Sequence, residues 1–197
     1  MPVNDLHELL KHELGDLYFA EKHVLKALKK MEKEVSNPTV RQRIVRHQGE
    51  TEQQISVLER VFDSIGERAK AQKCPGILGI IEEHEEFKKE EEPSKTVLEI
   101  FDLGSGLRVE HYEIAAYRSA IALAKALGER EAADLLARNL AQEVDMERFL
   151  VANAPAALRG AAAMDGDETA RGRGTRVGSG RKRAAAKKRS SRKRASA

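Results

Sequence analysis

Four long stretches of the chain repeat apolar residues with the three- and four-residue spacing of one face of an α-helix. They cover about residues 4–35, 38–66, 94–127 and 129–153. No window alternates apolar and polar residues with the period of two that marks a half-buried strand. The pattern therefore predicts an all-α protein built on four long helices.

The connections between these stretches indicate how the helices are arranged. The sequence Ser-Asn-Pro at 36–38 separates the first two stretches and Gly128 separates the last two, and such residues commonly end or begin helices. Each pair should therefore form an antiparallel hairpin. The longer connection contains CPGILGIIEEHEEFKKEEEP, which predicts a short extra helix on the crossover. This layout is a four-helix bundle with one crossover, and we place it at residues 1–155.

The apolar pattern ends at Pro155. From residue 171 onward the chain contains only Gly, Ala, Ser, Thr, Val, Lys and Arg. Such a segment cannot bury enough apolar area to offset its ordering entropy, so we predict that residues 156–197 form a disordered basic tail. Residues 159–197 carry 13 Lys/Arg and 3 Asp/Glu for a net charge of +10, whereas residues 1–158 have a net charge of −7.

The charge of the tail predicts nucleic-acid binding through phosphate neutralisation, which is independent of sequence and weakened by salt. The tail has no aromatic residue for base stacking, which argues against single-strand recognition. The alternative is a solubilising tail, or one that meets RNA, acidic lipid or other polyanions. The residues predicted to contact nucleic acid are Arg181, Lys182, Arg183, Lys187, Lys188, Arg189, Arg192, Lys193 and Arg194.

Composition excludes several classes of protein. The single cysteine, Cys74, excludes an intramolecular disulfide framework and a cysteine-based zinc site. The chain has neither an N-terminal signal-like segment nor 18 continuous apolar residues, so we expect no membrane insertion. A soluble cytoplasmic protein is predicted, associated with the nucleoid if the tail binds DNA.

Each of the four predicted helices carries at least one carboxylate on its apolar face when residues are placed at 100° intervals. Alone, an inward glutamate is usually a rim charge, and a lone histidine is usually hydrogen-bonded in the core. Four inward carboxylates on four helices would repel one another, and a divalent cation such as iron or manganese would resolve that conflict. The candidate ligands are Glu21 in the first helix, His47 and Glu50 in the second, Glu110 and Glu113 in the third, and Glu143 and Glu147 in the fourth.

Four motifs, DLYFAE, HQGETEQQ, EHYEIAAY and LAQEVDME, resemble the ferritin-like superfamily and, more narrowly, the bacterial YciE/YciF stress-protein family. The resemblance covers about residues 4–153. It implies a bundle with a di-iron-type carboxylate site, holding two iron or manganese ions, in a protein that forms dimers or larger oligomers.

Carried over by position, the resemblance makes Glu21 and Glu113 the single carboxylates and Glu50 and Glu143 the carboxylates of the paired helices. The superfamily pattern also has a histidine three residues after each paired carboxylate. Here Gln53 and Met146 stand at those positions. His47 and Glu147 are the expected substitutes, and Glu110 is either a further ligand or a support for the ligands.

Three functions are compatible with these features. The first is a ferritin-like metal protein of the stress response that oxidises or sequesters Fe(II); the small number of nitrogen ligands favours storage or sequestration over fast turnover. The second is a nucleoid-associated protein in which the bundle is only an oligomerising scaffold. The third is a structural helical module. Whether the protein is an enzyme, such as a ferroxidase or a peroxide-consuming oxidoreductase, is left open by the residues.

Overall fold

The computed structural model describes residues 3–193, with side chains to residue 164, and this part of the chain is helical without any strand. The predicted four-helix bundle with an extra crossover helix is confirmed. The helices are α1 (Leu6–Glu34), α2 (Pro38–Ser64), α3 (Pro75–Glu90), α4 (Lys95–Leu127) and α5 (Arg130–Lys193).

Local sequence explains where the helices begin and end. The Asn37 side chain accepts hydrogen bonds from the backbone N–H groups of Thr39 and Val40, so it satisfies donors that the first turn of α2 would leave unpaired. Gly128 ends α4 with a φ of 81°, a left-handed conformation that glycine adopts without strain. The two hairpins are therefore encoded at their turns.

The crossover between α2 and α3 is attached to the middle of α1. The backbone N–H of Gln72 donates to the carbonyl oxygen of Gly15 at 2.9 Å. A Cβ atom at Gly15 would lie 2.9 Å from the carbonyl oxygen of Lys70, closer than real side chains approach. Only glycine lets the connection pass this close to α1, and the contact fixes the start of α3.

A layer of buried polar residues separates two apolar clusters in the bundle. Along α1, Leu17 belongs to one cluster and Val24 to the other, with Glu21 between them. Along α2, Ile44 and Leu58 likewise flank the polar stretch. The buried polar residues of this stretch are His47, Glu50, Thr51 and Gln54. The carboxylates therefore lie across the middle of an otherwise apolar core.

The chain divides into two compact units, Met1–Ala154 and Pro155–Ala197. The first contains the bundle. The second begins at Pro155, which lies inside α5 and cannot donate a backbone hydrogen bond. The side chains from residue 165 onward, including all nine predicted nucleic-acid-binding residues, lie outside the described part of the structure, so the predicted disorder and DNA contact of the tail stay predictions. No helix within the described range is long and apolar enough to span a bilayer.

Candidate metal centre

His47, Glu110 and Glu143 form a buried group of ligand atoms contributed by three helices. The Nε2 atom of His47 lies 3.5 Å from Oε1 of Glu110 and 3.7 Å from Oε2 of Glu143. One ligand atom from each residue lies within 4.8 Å of the other two. This group of two carboxylates and one imidazole could hold a metal ion.

Glu21 and Glu113 bring two more carboxylates into the same layer. Both are almost completely buried. The Tyr117 hydroxyl donates to Oε1 of Glu21, whereas Oε2 of Glu21 and both oxygens of Glu113 have no hydrogen-bond partner within the described part of the chain. Burial raises the pKa of Glu21 to about 7. Burial, and then the charges of Glu21 and Glu110, raise the pKa of Glu113 well above its usual value.

Glu143 completes this set of carboxylates from α5. Its Oε1 accepts a hydrogen bond from Nε2 of Gln54, and its Oε2 has no hydrogen-bond partner among the residues whose side chains are described. Burial, followed by the charge of Glu113, raises the pKa of Glu143 well above its usual value. Clustered, desolvated carboxylates of this kind are stabilised either by taking up protons or by binding a cation that compensates their charge.

His47 stands at the meeting point of the acidic residues. Burial opposes the charged imidazolium, but the neighbouring carboxylates of Glu110 and Glu50 outweigh it and raise the pKa of His47 to about 9. Without a metal, the imidazolium therefore serves as a positive charge among the carboxylates. A metal would replace its Nε2 proton, because only the neutral nitrogen is a ligand.

Glu50 has different surroundings from the other carboxylates. Its Oε2 accepts from Arg43 at 2.9 Å and its Oε1 accepts from Arg46 at 2.8 Å. His47 Nδ1 lies 3.2 Å from the same Oε2. Burial opposes its charge, but the hydrogen bonds from His47 and Arg43 outweigh burial and lower the pKa of Glu50 to about 2. Glu50 is thus ionised at neutral pH and is already paired with cations.

Several buried polar atoms of the layer have no hydrogen-bond partner up to residue 164, where the described side chains end, although native proteins rarely leave such atoms unsatisfied. A divalent cation would supply the missing interactions, and a set of carboxylates plus one imidazole suits iron or manganese. The donor set therefore fits a metal. The unpartnered ligand atoms are Glu21 Oε2, His47 Nε2, Glu110 Oε2, both oxygens of Glu113, and Glu143 Oε2.

The structure buries six of the seven candidate ligands named from the sequence. Glu147 is only half-buried and is not part of the three-residue group. Ligation by any of the seven stays a prediction. Sequence reasoning missed Arg43, which shares an α2 face with Glu50 at a spacing of seven residues. It also missed Asn139, one turn before Glu143, whose Nδ2 donates to the Tyr117 hydroxyl at 3.0 Å. Helical spacing could have identified both.

Known proteins resemble this chain over most of the bundle. The family described as a domain of unknown function, DUF892, matches residues 5–163. Protein YciF of Escherichia coli (strain K12) is 35% identical over 144 residues, which cover 73% of this chain and 86% of YciF.

Two solved structures share the fold. The crystal structure of the E. coli stress protein YciF has a TM-score of 0.74 and 32% identity, covering 80% of this chain and 99% of that one. YcfI from Rhodopseudomonas palustris has a TM-score of 0.73 and 36% identity, covering 75% of this chain and 94% of that one. The helical bundle is thus common to these relatives.

Proposed function

The chain belongs to the DUF892 family, and from that premise we propose that it is a YciF-type bundle protein that binds two iron or manganese ions in its buried carboxylate layer. The observation that carries the proposal is the set of unpartnered ligand atoms on Glu21, His47, Glu110, Glu113 and Glu143. Leaving so many buried polar atoms unsatisfied is costly. A bound cation would offset that cost.

Charge balance supports two ions rather than one. Glu21, Glu110, Glu113 and Glu143 bring four carboxylates, whereas Glu50 is already paired with two arginines. Two divalent cations would neutralise four ionised carboxylates, and a neutral His47 would add a nitrogen ligand. One cation would leave two buried negative charges, which low-dielectric surroundings disfavour.

Metal binding can be tested by dialysing the full-length protein against Fe(II) without oxygen, or against Mn(II), and measuring bound metal by elemental analysis. We expect about two ions per chain, and fewer in Glu143→Gln and Glu113→Gln. Glu52→Gln is the matched control, because Glu52 is an exposed carboxylate on α2. The proposal would be contradicted if the wild-type protein showed no saturable metal binding, or if Glu52→Gln lost as much bound metal as Glu113→Gln and Glu143→Gln.

We further propose a role in the bacterial stress response, through oxidation or sequestration of Fe(II). The support is the relative YciF, described as a stress protein, together with the acidic donor set. Bound iron would supply the redox chemistry. Oxidation of Fe(II) by oxygen or peroxide should be faster with wild-type protein than with Glu143→Gln, and equal rates would restrict the function to binding.

The tail suggests a second activity. A segment of net charge +10 attached to a bundle of net charge −7 should direct DNA to the tail alone. We propose that Arg181–Arg194 contacts DNA phosphates. The competing proposal is a nucleoid-associated protein whose bundle serves only to oligomerise. If the metal-free protein protects DNA as well as the metal-loaded protein does, that result would favour the competing function.

We also propose that the bundle assembles into a homo-oligomer, a dimer or larger. Sedimentation equilibrium of the full-length protein should give a mass above the 21.9 kDa of one chain. A monomer at all concentrations tested would contradict this proposal without affecting metal binding.

A further inference from the structure

We propose that Glu50 is a positioning residue: it orients His47 for metal binding and does not itself bind the metal. This inference rests on the proposed metal site. It departs from the role that the resemblance implies for Glu50, and it follows from the contacts of Arg43, Arg46 and His47.

The first argument is that both oxygens of Glu50 are already used. Arg43 donates to Oε2 at 2.9 Å and Arg46 donates to Oε1 at 2.8 Å. In contrast, neither oxygen of Glu113 and only Oε1 of Glu143 has a hydrogen-bond partner among the described side chains. The two kinds of carboxylate in this layer are therefore distinct: those facing one another each leave at least one oxygen without a partner among the described residues, and Glu50 is paired with guanidinium groups through both oxygens.

The second argument is the burial of Arg43. Its side chain is only 7% exposed, and its other acidic partner, Asp145, is 53% exposed. If Glu50 moved to a metal, Arg43 would keep one solvent-screened contact at 3.2 Å. Removing one partner from a buried charge pair is strongly unfavourable, so Arg43 holds Glu50 away from the metal.

The third argument is the orientation of His47. A carboxylate that accepts hydrogen bonds from two guanidinium groups can only accept, so the Nδ1 atom of His47, 3.2 Å from Glu50 Oε2, must carry a proton. The opposite nitrogen, Nε2, then faces Glu110 and Glu143 at 3.5 and 3.7 Å. A carboxylate behind a ligating histidine fixes both the tautomer and the ring orientation of that histidine.

The decisive measurement is Co(II) stoichiometry and affinity for the full-length protein. Glu50→Gln should bind as many Co(II) ions as the wild type, with affinity lowered about 10- to 100-fold. Glu143→Gln should lose at least one ion per chain at the same Co(II) concentration. Loss of an ion in Glu50→Gln as in Glu143→Gln would overturn the proposal.

The Arg43→Met variant distinguishes the two roles of Glu50 by the direction in which Co(II) affinity changes. If Glu50 were a ligand restrained by arginine, this change would free it and strengthen Co(II) binding. If Glu50 positions His47, Co(II) affinity should stay the same or fall, and a rise would overturn the inference. The double variant Arg43→Met/Glu50→Gln removes both buried charges, so it tests the role of Glu50 without leaving a buried guanidinium unpaired, since Arg46 is exposed.

A spectroscopic readout separates positioning from general destabilisation. In Zn(II)-loaded protein, long-range ¹H–¹⁵N spectra, with His47 assigned from His47→Gln, should show a protonated Nδ1. Glu50→Gln should keep this tautomer, because the amide oxygen still accepts, and Glu50→Ala should not. If Glu50→Ala keeps both the His47 tautomer and the metal affinity, the positioning role of Glu50 is overturned but the proposed metal site is not. If the wild-type protein binds no metal, both are overturned.

Discussion

The Tyr117 hydroxyl on α4 donates a hydrogen bond to Oε1 of Glu21 on α1 and accepts one from Nδ2 of Asn139 on α5 at 3.0 Å. One fully buried phenol therefore links three helices of the bundle. It also fixes one oxygen of Glu21, while the other oxygen has no hydrogen-bond partner in the described range of side chains. The hydrogen-bond network around the carboxylates thus orients them as well as burying them.

Replacing this phenol should destabilise the bundle. In Tyr117→Phe, Glu21 loses its donor and Asn139 loses an acceptor, so we expect a loss of about 1–3 kcal/mol from the free energy of unfolding. Urea unfolding of the metal-free protein measures the change. Tyr18→Phe is the control, because Tyr18 bonds the exposed Glu59. Equal effects of the two substitutions would contradict the role of the buried network.

The metal-free bundle should lose stability as pH rises. The folded-state pKa of Glu21 is raised from 4.5 to about 7, so the folded state binds more protons than the unfolded state between these values, and stability falls across that range. His47, raised from 6.5 to about 9, contributes stability that is complete below 6.5 and lost as pH rises through 9.

Glu50 acts in the opposite direction. Its pKa is lowered from 4.5 to about 2, so its contribution is present above pH 4.5 and lost as pH falls through 2. The melting temperature of chelator-treated protein should therefore be highest in mildly acidic solution and decline toward pH 9. Metal-loaded protein should decline less, since cations replace the protons. Parallel curves for the two forms would argue against metal at this site.

A pair of glycine substitutions tests the crossover contact. Gly15→Ala places a Cβ 2.9 Å from the Lys70 carbonyl oxygen, so we expect a loss of about 1–3 kcal/mol in stability. Gly49→Ala meets nothing within 4 Å and should raise stability by about 0.5–1 kcal/mol, because alanine favours helix. Urea unfolding measures both changes. A tolerated Gly15→Ala would show that the connection is held elsewhere.

Deleting residues 159–197 should abolish DNA binding and leave metal binding intact, because no candidate ligand lies beyond Glu147. Binding of a random duplex by the full-length protein should weaken steeply with salt, with a log–log slope of roughly −0.9 per neutralised phosphate. We expect little sequence preference, since a phosphate contact carries no base information. Equal binding by the truncated protein, or binding insensitive to salt, would contradict the assignment of DNA contact to the tail.

The inward orientation of the carboxylates was predictable because helical periodicity is a local property. Residues three, four and seven positions apart share a helix face, and this placed Glu21, His47, Glu50, Glu113 and Glu143 on apolar stripes from the sequence alone. The same rule placed Glu147 on the stripe of the last helix together with Glu143, although a separation of four residues rotates it by about 40° from Glu143. The structure leaves Glu147 half-buried.

The sequence by itself determined the bundle helices, their turns, the acidic bundle and the basic tail, because these depend on spacing and composition within short windows. It did not determine the end of α5, which continues through Pro155. Only the tertiary structure decided which atoms meet across helices. Arg43 and Asp145 are 102 residues apart in the chain, and their contact depends on how α2 and α5 are rotated and shifted against each other. The same packing left both oxygens of Glu113 without a hydrogen-bond partner among the described residues, which the apolar face of α4 alone could not reveal. The pairing of Glu50 with Arg43 and Arg46, by contrast, lies within α2 and follows from helical spacing.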